Sequence, residues 1–246
     1  MSLTSRGIFL DAVTLWRAER ALLVPVAGLF FVAPMLGAAL LLGGLDLPAT
    51  EDPEKLRAAL MTFYAANLLP ILAINLVIDF GCFAIFNLYL QGGGRTLGEV
   101  LLLALRRFPA FFVLNLIAGL LFSFGLSLFV IPGLFVLART WLAGPALAAD
   151  PRAGVFGAFR EGWRRSGGVT GFALIGLASM VFFLAFGLVI LTGGILGTIA
   201  GLVGGAQAVT IVSYLATALF GGAAWTALAL IRIAAYRLGG APKQGI

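Results

Sequence analysis

Histidine is absent from the sequence, and cysteine occurs once, as Cys82. Without histidine there is no imidazole base, no imidazole metal ligand and no ordinary near-neutral proton switch. A single cysteine excludes disulfides and cysteine-based metal clusters within one chain. Charge is scarce too: 11% of residues are charged, against about 25% in a soluble domain. No glycine-rich loop is followed by Lys-Ser/Thr or preceded by a strand, which argues against a phosphate-cradling loop. No metal site and no cofactor are expected.

What remains is apolar. Of 246 residues, 61% are hydrophobic, more than a soluble core of this length can hide, so lipid is the expected solvent. Six long apolar runs stand at 21–44, 68–91, 109–131, 133–149, 169–191 and 207–231. A helix needs about 20 residues to cross the hydrocarbon. The fourth run is short and contains Arg139, but it is the natural return crossing after the turn signal Pro132-Gly133. Asp52 followed by Pro53 predicts the start of a short helix over 53–66, lying at the outer interface. Gly92-Gly93-Gly94 ends the second span. The expected fold class is therefore all-α: a polytopic transmembrane bundle of about six spans in one integral membrane domain, 1–246. The apolar run begins only after Arg20, with Asp11 and Glu19 before it, unlike a cleaved signal peptide.

The net charge of +6 is distributed unevenly. Arg6, Arg17 and Arg20 precede the first span. Arg95, Arg106 and Arg107 follow the second; Arg152, Arg160, Arg164 and Arg165 follow the fourth; Arg232, Arg237 and Lys243 follow the sixth. The opposite side holds Lys55 and Arg57 among Asp46, Glu51, Asp52 and Glu54, and an uncharged connection near 192–205. The positive-inside rule then puts both termini in the cytoplasm. Four or eight spans would leave a basic loop outside. No soluble basic module exists that would bind nucleic acid.

A short amphipathic segment introduces each outward-going span, at about 6–20, 95–107 and 152–166. In the second, Leu97, Val100, Leu101, Ala104, Leu105 and Phe108 share one helical face, and Thr96 with Glu99 forms a capping box. In the third, Val155, Phe156, Phe159 and Trp163 make the stripe. Three units follow, each an interfacial helix plus a transmembrane hairpin.

Polar groups at membrane depth are the best pointers to function. Asp79 lies roughly 18 Å up the second span and Arg139 roughly 15 Å up the fourth, at 1.5 Å per residue. The similar depths predict an intramembrane pair, Asp79 with Arg139. It is either a register-fixing ion pair or a ligand or proton site. Asn75, Asn87 and Asn115 are expected to hydrogen-bond between helices, and Trp16, Trp141, Trp163 and Trp225 to anchor interfaces. Asp11, Glu99, Asp150 and Glu161 each sit beside arginine, so ion pairing is expected of them. Arg106, Arg107, Arg160, Trp163, Arg164 and Arg165 are the candidate contacts for lipid headgroups, because arginine near an anionic leaflet is stabilised by about 1 kcal/mol. No combination of residues reads as a catalytic site.

Two stretches carry a family resemblance: LQGGGRTLGEVLLLALRRFPAFFVLNLI at 90–117, and IPGLFVLARTWLAGPALAADPRAGVFGAFREGWRRSGG at 131–168. Both resemble the membrane domain that accompanies some bacterial glycerophosphoryl diester phosphodiesterases, and its stand-alone six-span relatives of unknown function. The resemblance rests on Pro132-Gly133 opening a span, then Arg139, Pro145, Asp150 and the basic helix Arg160–Arg165. Gly162 departs from the serine usual in that helix, and Asp150 from a frequent glutamate. The soluble barrel that carries the phosphodiesterase chemistry has no counterpart in these residues. The resemblance thus implies a membrane module of a bacterial inner membrane rather than an activity.

The resulting expectation is a non-catalytic scaffold or accessory subunit, partnered by membrane phospholipids and by other membrane proteins. The competing readings are a transporter or lipid-handling permease with a site near Asp79 and Arg139, and a membrane-embedded enzyme.

Overall fold

The computed structural model describes residues 5–46, 48, 52–91, 93–94, 96–152, 154–167, 169–203 and 205–239. Glu51, Gly92, Arg95 and Lys243, used above to place turns and charges, lie outside the described residues. Among those described there are only helices: α1 (Ser5–Ala27), a π turn (Gly28–Val32), α2 (Ala33–Gly43), α3 (Pro53–Ala66), α4 (Leu68–Gln91), α5 (Leu97–Leu128), α6 (Val130–Thr140), α7 (Ala143–Ala149), α8 (Val155–Arg165), α9 (Val169–Val203) and α10 (Gly205–Gly239). Six helical segments are long and apolar enough to cross a membrane: Ser5–Gly43, Leu68–Gln91, Leu97–Leu128, Val130–Ala149, Gly171–Leu196 and Gln207–Gly239. The protein is an integral membrane protein built as an all-α bundle.

Local chemistry sets several helix starts. The Asp52 carboxylate accepts the Glu54 N–H at 3.0 Å to begin α3. At α5 the capping box is complete: Thr96 Oγ1 accepts from Glu99 N at 3.4 Å, and Glu99 Oε2 accepts from Thr96 N at 2.8 Å. The first crossing bends twice. Glu19 leaves helical geometry (φ −123°, ψ 23°) and Pro25 follows within α1; the π turn at Gly28–Val32 then loosens the helix again. Proline and π turns are recognised causes of such bends.

Several boundaries differ from the sequence expectation. The amphipathic segment 95–107 and the third span are one continuous helix, α5, which runs through Pro109. Of the three amphipathic segments that introduce outward-going spans, only the third forms a separate helix, α8; the 6–20 segment is joined to the first span within α1. The turn after the third span is Phe129, in extended geometry (φ −165°, ψ 161°), and not Pro132-Gly133. Pro132 sits in the first turn of α6, where its missing N–H costs nothing. Gly133 serves a close helix approach: a Cβ on Gly125 would come within 2.8 Å of Gly133 Cα. The glycine-rich stretch from 192 continues α9 to Val203, and α10 continues past 231 to Gly239. In hydrocarbon no water competes for the backbone, so glycine interrupts a helix less readily than it does in solution.

The core lies toward the end of the bundle where the α4–α5 and α7–α8 connections and the α10 C-terminus meet. Phe83 stacks on Phe111 with ring centroids 4.5 Å apart, and Phe86 meets Phe111 edge-on at 6.2 Å. The short helix α7 is buried along Ala143–Ala148, packed against α4 and α8. Toward the other end the helices turn large apolar side chains outward, including Phe183 at 67% exposure. That distribution suits lipid, where helices gain by close packing rather than by escaping water.

Candidate functional site

A helix leaves its last four carbonyls without intrahelical donors, and in a bilayer those carbonyls need partners from the protein. Here long polar side chains supply them. Arg139 Nη1 donates to Trp163 O in the last turn of α8 at 3.2 Å. Arg165 Nη1 donates to Tyr236 O in the last turn of α10 at 2.7 Å. Gln91 Nε2 reaches Ala149 O, the last carbonyl of α7, at 2.7 Å, and Arg107 Nη2 reaches Asp150 O, just past it, at 2.9 Å. A cation at a helix C-terminus also complements the helix dipole. Each bond joins separate elements, so the basic end of the bundle is laced together.

The deepest of these contacts involves Arg232. Its Nε donates to Trp141 O at 3.1 Å, and its guanidinium lies 4.8 Å from the Phe86 ring centroid. The helical partner of the Trp141 carbonyl would be the N–H of residue 145, and residue 145 is proline, which has none. Gly144 makes the space: a Cβ there would stand 2.9 Å from Arg232 Nη2. Gly144-Pro145 thus opens both a carbonyl and a gap, and Arg232 fills both.

The structure does not form the expected Asp79–Arg139 pair. Asp79 meets the side chain of Asn115 and lies in the field of Arg232. Arg139 sits against Phe135 and Trp163, 5.3 Å from each ring centroid. The packing explains the exchange: α4 lies against α5, α7 and α10, whereas α6 lies against α5, α8 and α9. Asn115 makes the expected contact between helices. Asn75 and Asn87 instead donate to carbonyls one turn back in their own helix, Ile71 O and Phe83 O.

The headgroup candidates fall into two groups. Arg106 and Arg160 are exposed. Arg107 and Arg165 turn inward to carbonyls, and Trp163 packs edge-on against Phe135 at 5.7 Å. Arg164 is 69% exposed along its side chain but grips both Glu161 oxygens, at 2.9 and 2.6 Å; Arg165, at 17%, holds Glu161 Oε1 at 2.6 Å. The hydrogen bonds from Arg164 and then Arg165 pull the Glu161 carboxyl down to about 2. Glu161 pairs with its neighbouring arginines as expected. Glu99 turns to the Thr96 cap, Asp150 Oδ1 accepts the Arg152 N–H at 2.8 Å, and Asp11 Oδ2 is buried without a hydrogen-bond partner. No three His, Cys, Asp or Glu side chains among the described residues are grouped to hold a metal.

Reading the sequence as a row of spans misses Arg232, because it stands there as the first charge beyond the sixth. Its signal was present: Ile231, Ile233, Ala234 and Ala235 keep the segment apolar around it. Comparison with protein-family models, curated proteins and solved structures finds no match.

Proposed function

We propose that this integral membrane protein is a non-catalytic scaffold or accessory subunit of a bacterial inner membrane, with its basic end facing the cytoplasm. The observation that carries the reading is the Arg232–Trp141 bond and its companions. The long cations that enter the bundle are bound to helix-end carbonyls, an arrangement suited to holding a fixed shape rather than moving a ligand. The exposed arginines, Arg106 and Arg160 among them, are left to meet anionic lipid or an acidic partner. The likeness to the phosphodiesterase-associated membrane domain fits such a role, since that domain accompanies catalysis carried elsewhere. The test is purification in native lipid followed by mass spectrometry. A stoichiometric partner protein supports the subunit reading; a chain that elutes alone from several native lipids overturns it.

A permease reading would now centre on Asp79, Asn115 and Arg232 and not on Arg139. Its motivating observation is the half-buried Asp79 carboxyl facing a polar neighbour. Solute uptake by vesicles containing the purified protein, abolished by Asp79→Asn, would favour it over the scaffold.

A further inference from the structure

We infer that Arg139 holds the phosphate of one anionic phospholipid at the corner where α6 meets α8. The inference goes beyond the scaffold reading and does not depend on it.

Three side chains build the corner. Phe135 and Arg139 lie one turn apart on α6, and Trp163 comes from the last turn of α8. The two rings stand nearly at right angles, with 82° between their planes. The guanidinium sits in the angle, 5.3 Å from each ring centroid. Such cation–π contact holds an arginine without consuming its N–H donors. Nη1 donates to Trp163 O; the other guanidinium N–H groups have no partner among the described residues. The side chain is half-exposed, so those donors are within reach of a ligand. Arg139 also has no ion pair among the described residues. In this it differs from Arg165, which holds Glu161, and from Arg232, which faces Asp79. The one acid of α8, Glu161, has both oxygens taken by Arg164 and Arg165.

The corner stands at a membrane boundary. A Cβ on Gly167 would come within 3.2 Å of Arg139 Nη1, and one on Gly171 within 3.1 Å of the Ala138 Cβ. Gly171 begins the fifth crossing, so Arg139 lies at the foot of α9. A cation there without a protein counter-ion is costly. Phosphate oxygens match a guanidinium bidentately and supply the missing charge. Ile131 and Phe135 precede Arg139 at four-residue spacing on α6, and both are exposed, as is Leu134. Residues so spaced share a helix face. They form an apolar track of about 12 Å leading to Arg139, at 1.5 Å per residue. An acyl chain lies along that track while its phosphate meets the guanidinium. No acid is free at the corner to balance a headgroup ammonium, so the site selects a net anionic lipid over a zwitterionic one.

The experiment is native mass spectrometry of the full chain in detergent, titrated with phosphatidylglycerol or with phosphatidylcholine of the same chain length. The wild type is expected to retain one phosphatidylglycerol in preference to phosphatidylcholine. Arg139→Gln can still donate to Trp163 O but carries no charge. It is expected to reduce that preference about fivefold, from about 1 kcal/mol per arginine at an anionic surface. Arg106→Gln, exposed on α5 at the same basic end, is expected to leave it unchanged. Phe135→Glu places a carboxylate one turn before Arg139, at a spacing that favours an ion pair. It is expected to lower the preference as Arg139→Gln does, and it serves as the test if Arg139→Gln fails to fold. A preference unmoved by either change at the corner overturns the site. Equal effects of Arg139→Gln and Arg106→Gln overturn the assignment to Arg139. Displacement of the lipid by an equal concentration of inorganic phosphate assigns a free anion and overturns the lipid. If the corner receives an acidic segment of another protein, Arg139→Gln releases that protein from native-membrane preparations and leaves the lipid preference intact, which also overturns it.

Discussion

Arg232 gives the Trp141 carbonyl the hydrogen bond that Pro145 withholds. The donor is 3.1 Å away and comes from α10, some 91 residues along the chain. An unsatisfied carbonyl in the bundle would cost about 1–3 kcal/mol, so proline at 145 and arginine at 232 depend on each other. Proline breaks α6 from α7; arginine ties the break to the last helix.

That dependence is measurable by a double-mutant cycle. Arg232→Leu alone is expected to destabilise the protein by several kcal/mol, because it orphans Trp141 O and removes the cation facing Asp79. Pro145→Ala restores an N–H at 145 and is expected to reduce that loss by about 1 kcal/mol. Thermal unfolding in detergent of the wild type, both single variants and the double variant reads the coupling. Additive effects would show that the carbonyl has another donor.

A second cycle separates the two candidate partners of Asp79. Asp79→Asn combined with Arg232→Gln is expected to cost less than the sum of the single changes. Asp79→Asn combined with Arg139→Gln is expected to be additive within about 0.5 kcal/mol, as for residues that share no partner. Coupling of Asp79 to Arg139 at the strength expected for Arg232 would contradict the packing described here.

These two residues mark the boundary of what sequence reading could reach. Composition and run length were sufficient for an all-α bundle of six crossings, because hydrocarbon admits few other solutions. The capping box at Thr96 and Glu99 was legible because it is local. Counting residues gave Asp79 and Arg139 similar depths, but depth along an axis does not say which way a side chain points. Whether α4 meets α6 or α10 is decided by packing among distant segments. Arg232 is hidden for a related reason: a charge in a sequence ordinarily marks the end of a span, whereas α10 continues through Gly239 with the cation turned onto Trp141 O.

Gly162 is expected to be intolerant of any side chain. A Cβ there would stand 2.6 Å from Ala143 N and 2.8 Å from Ala143 Cα, and backbone cannot yield as a flexible side chain can. Gly162→Ala is therefore expected to push α8 off α7 and to destabilise the protein by about 1–3 kcal/mol, as overpacking does elsewhere. Serine adds the same Cβ, so Gly162→Ser is expected to cost no less. Gly154→Ala, where a Cβ would meet nothing within 4 Å, is the control. A melting temperature that falls equally in both would remove the close approach as the cause.

Glu161 supplies a pH dependence with a defined sign. The hydrogen bonds from Arg164 and Arg165 hold its folded-state pKa at about 2, below the ordinary 4.5. Above pH 4.5 the carboxylate is ionised in folded and unfolded chains alike, and the full contribution to stability is present. As pH falls below 4.5 the unfolded chain takes up the proton first, so stability declines through the window and is lost as pH passes about 2. The group is partly exposed, with a side-chain exposure of 30%, so solvent screens the pair and the effect is modest. Glu161→Gln is expected to flatten the decline of melting temperature between pH 4.5 and 2 relative to wild type, and to shift it little at neutral pH beyond the loss of the pair itself. Arg164→Gln is expected to flatten it partly, because Arg165, the more buried partner, still holds Glu161 Oε1. Parallel wild-type and Glu161→Gln profiles across that window would mean that the two arginines do not hold the carboxylate in the folded protein.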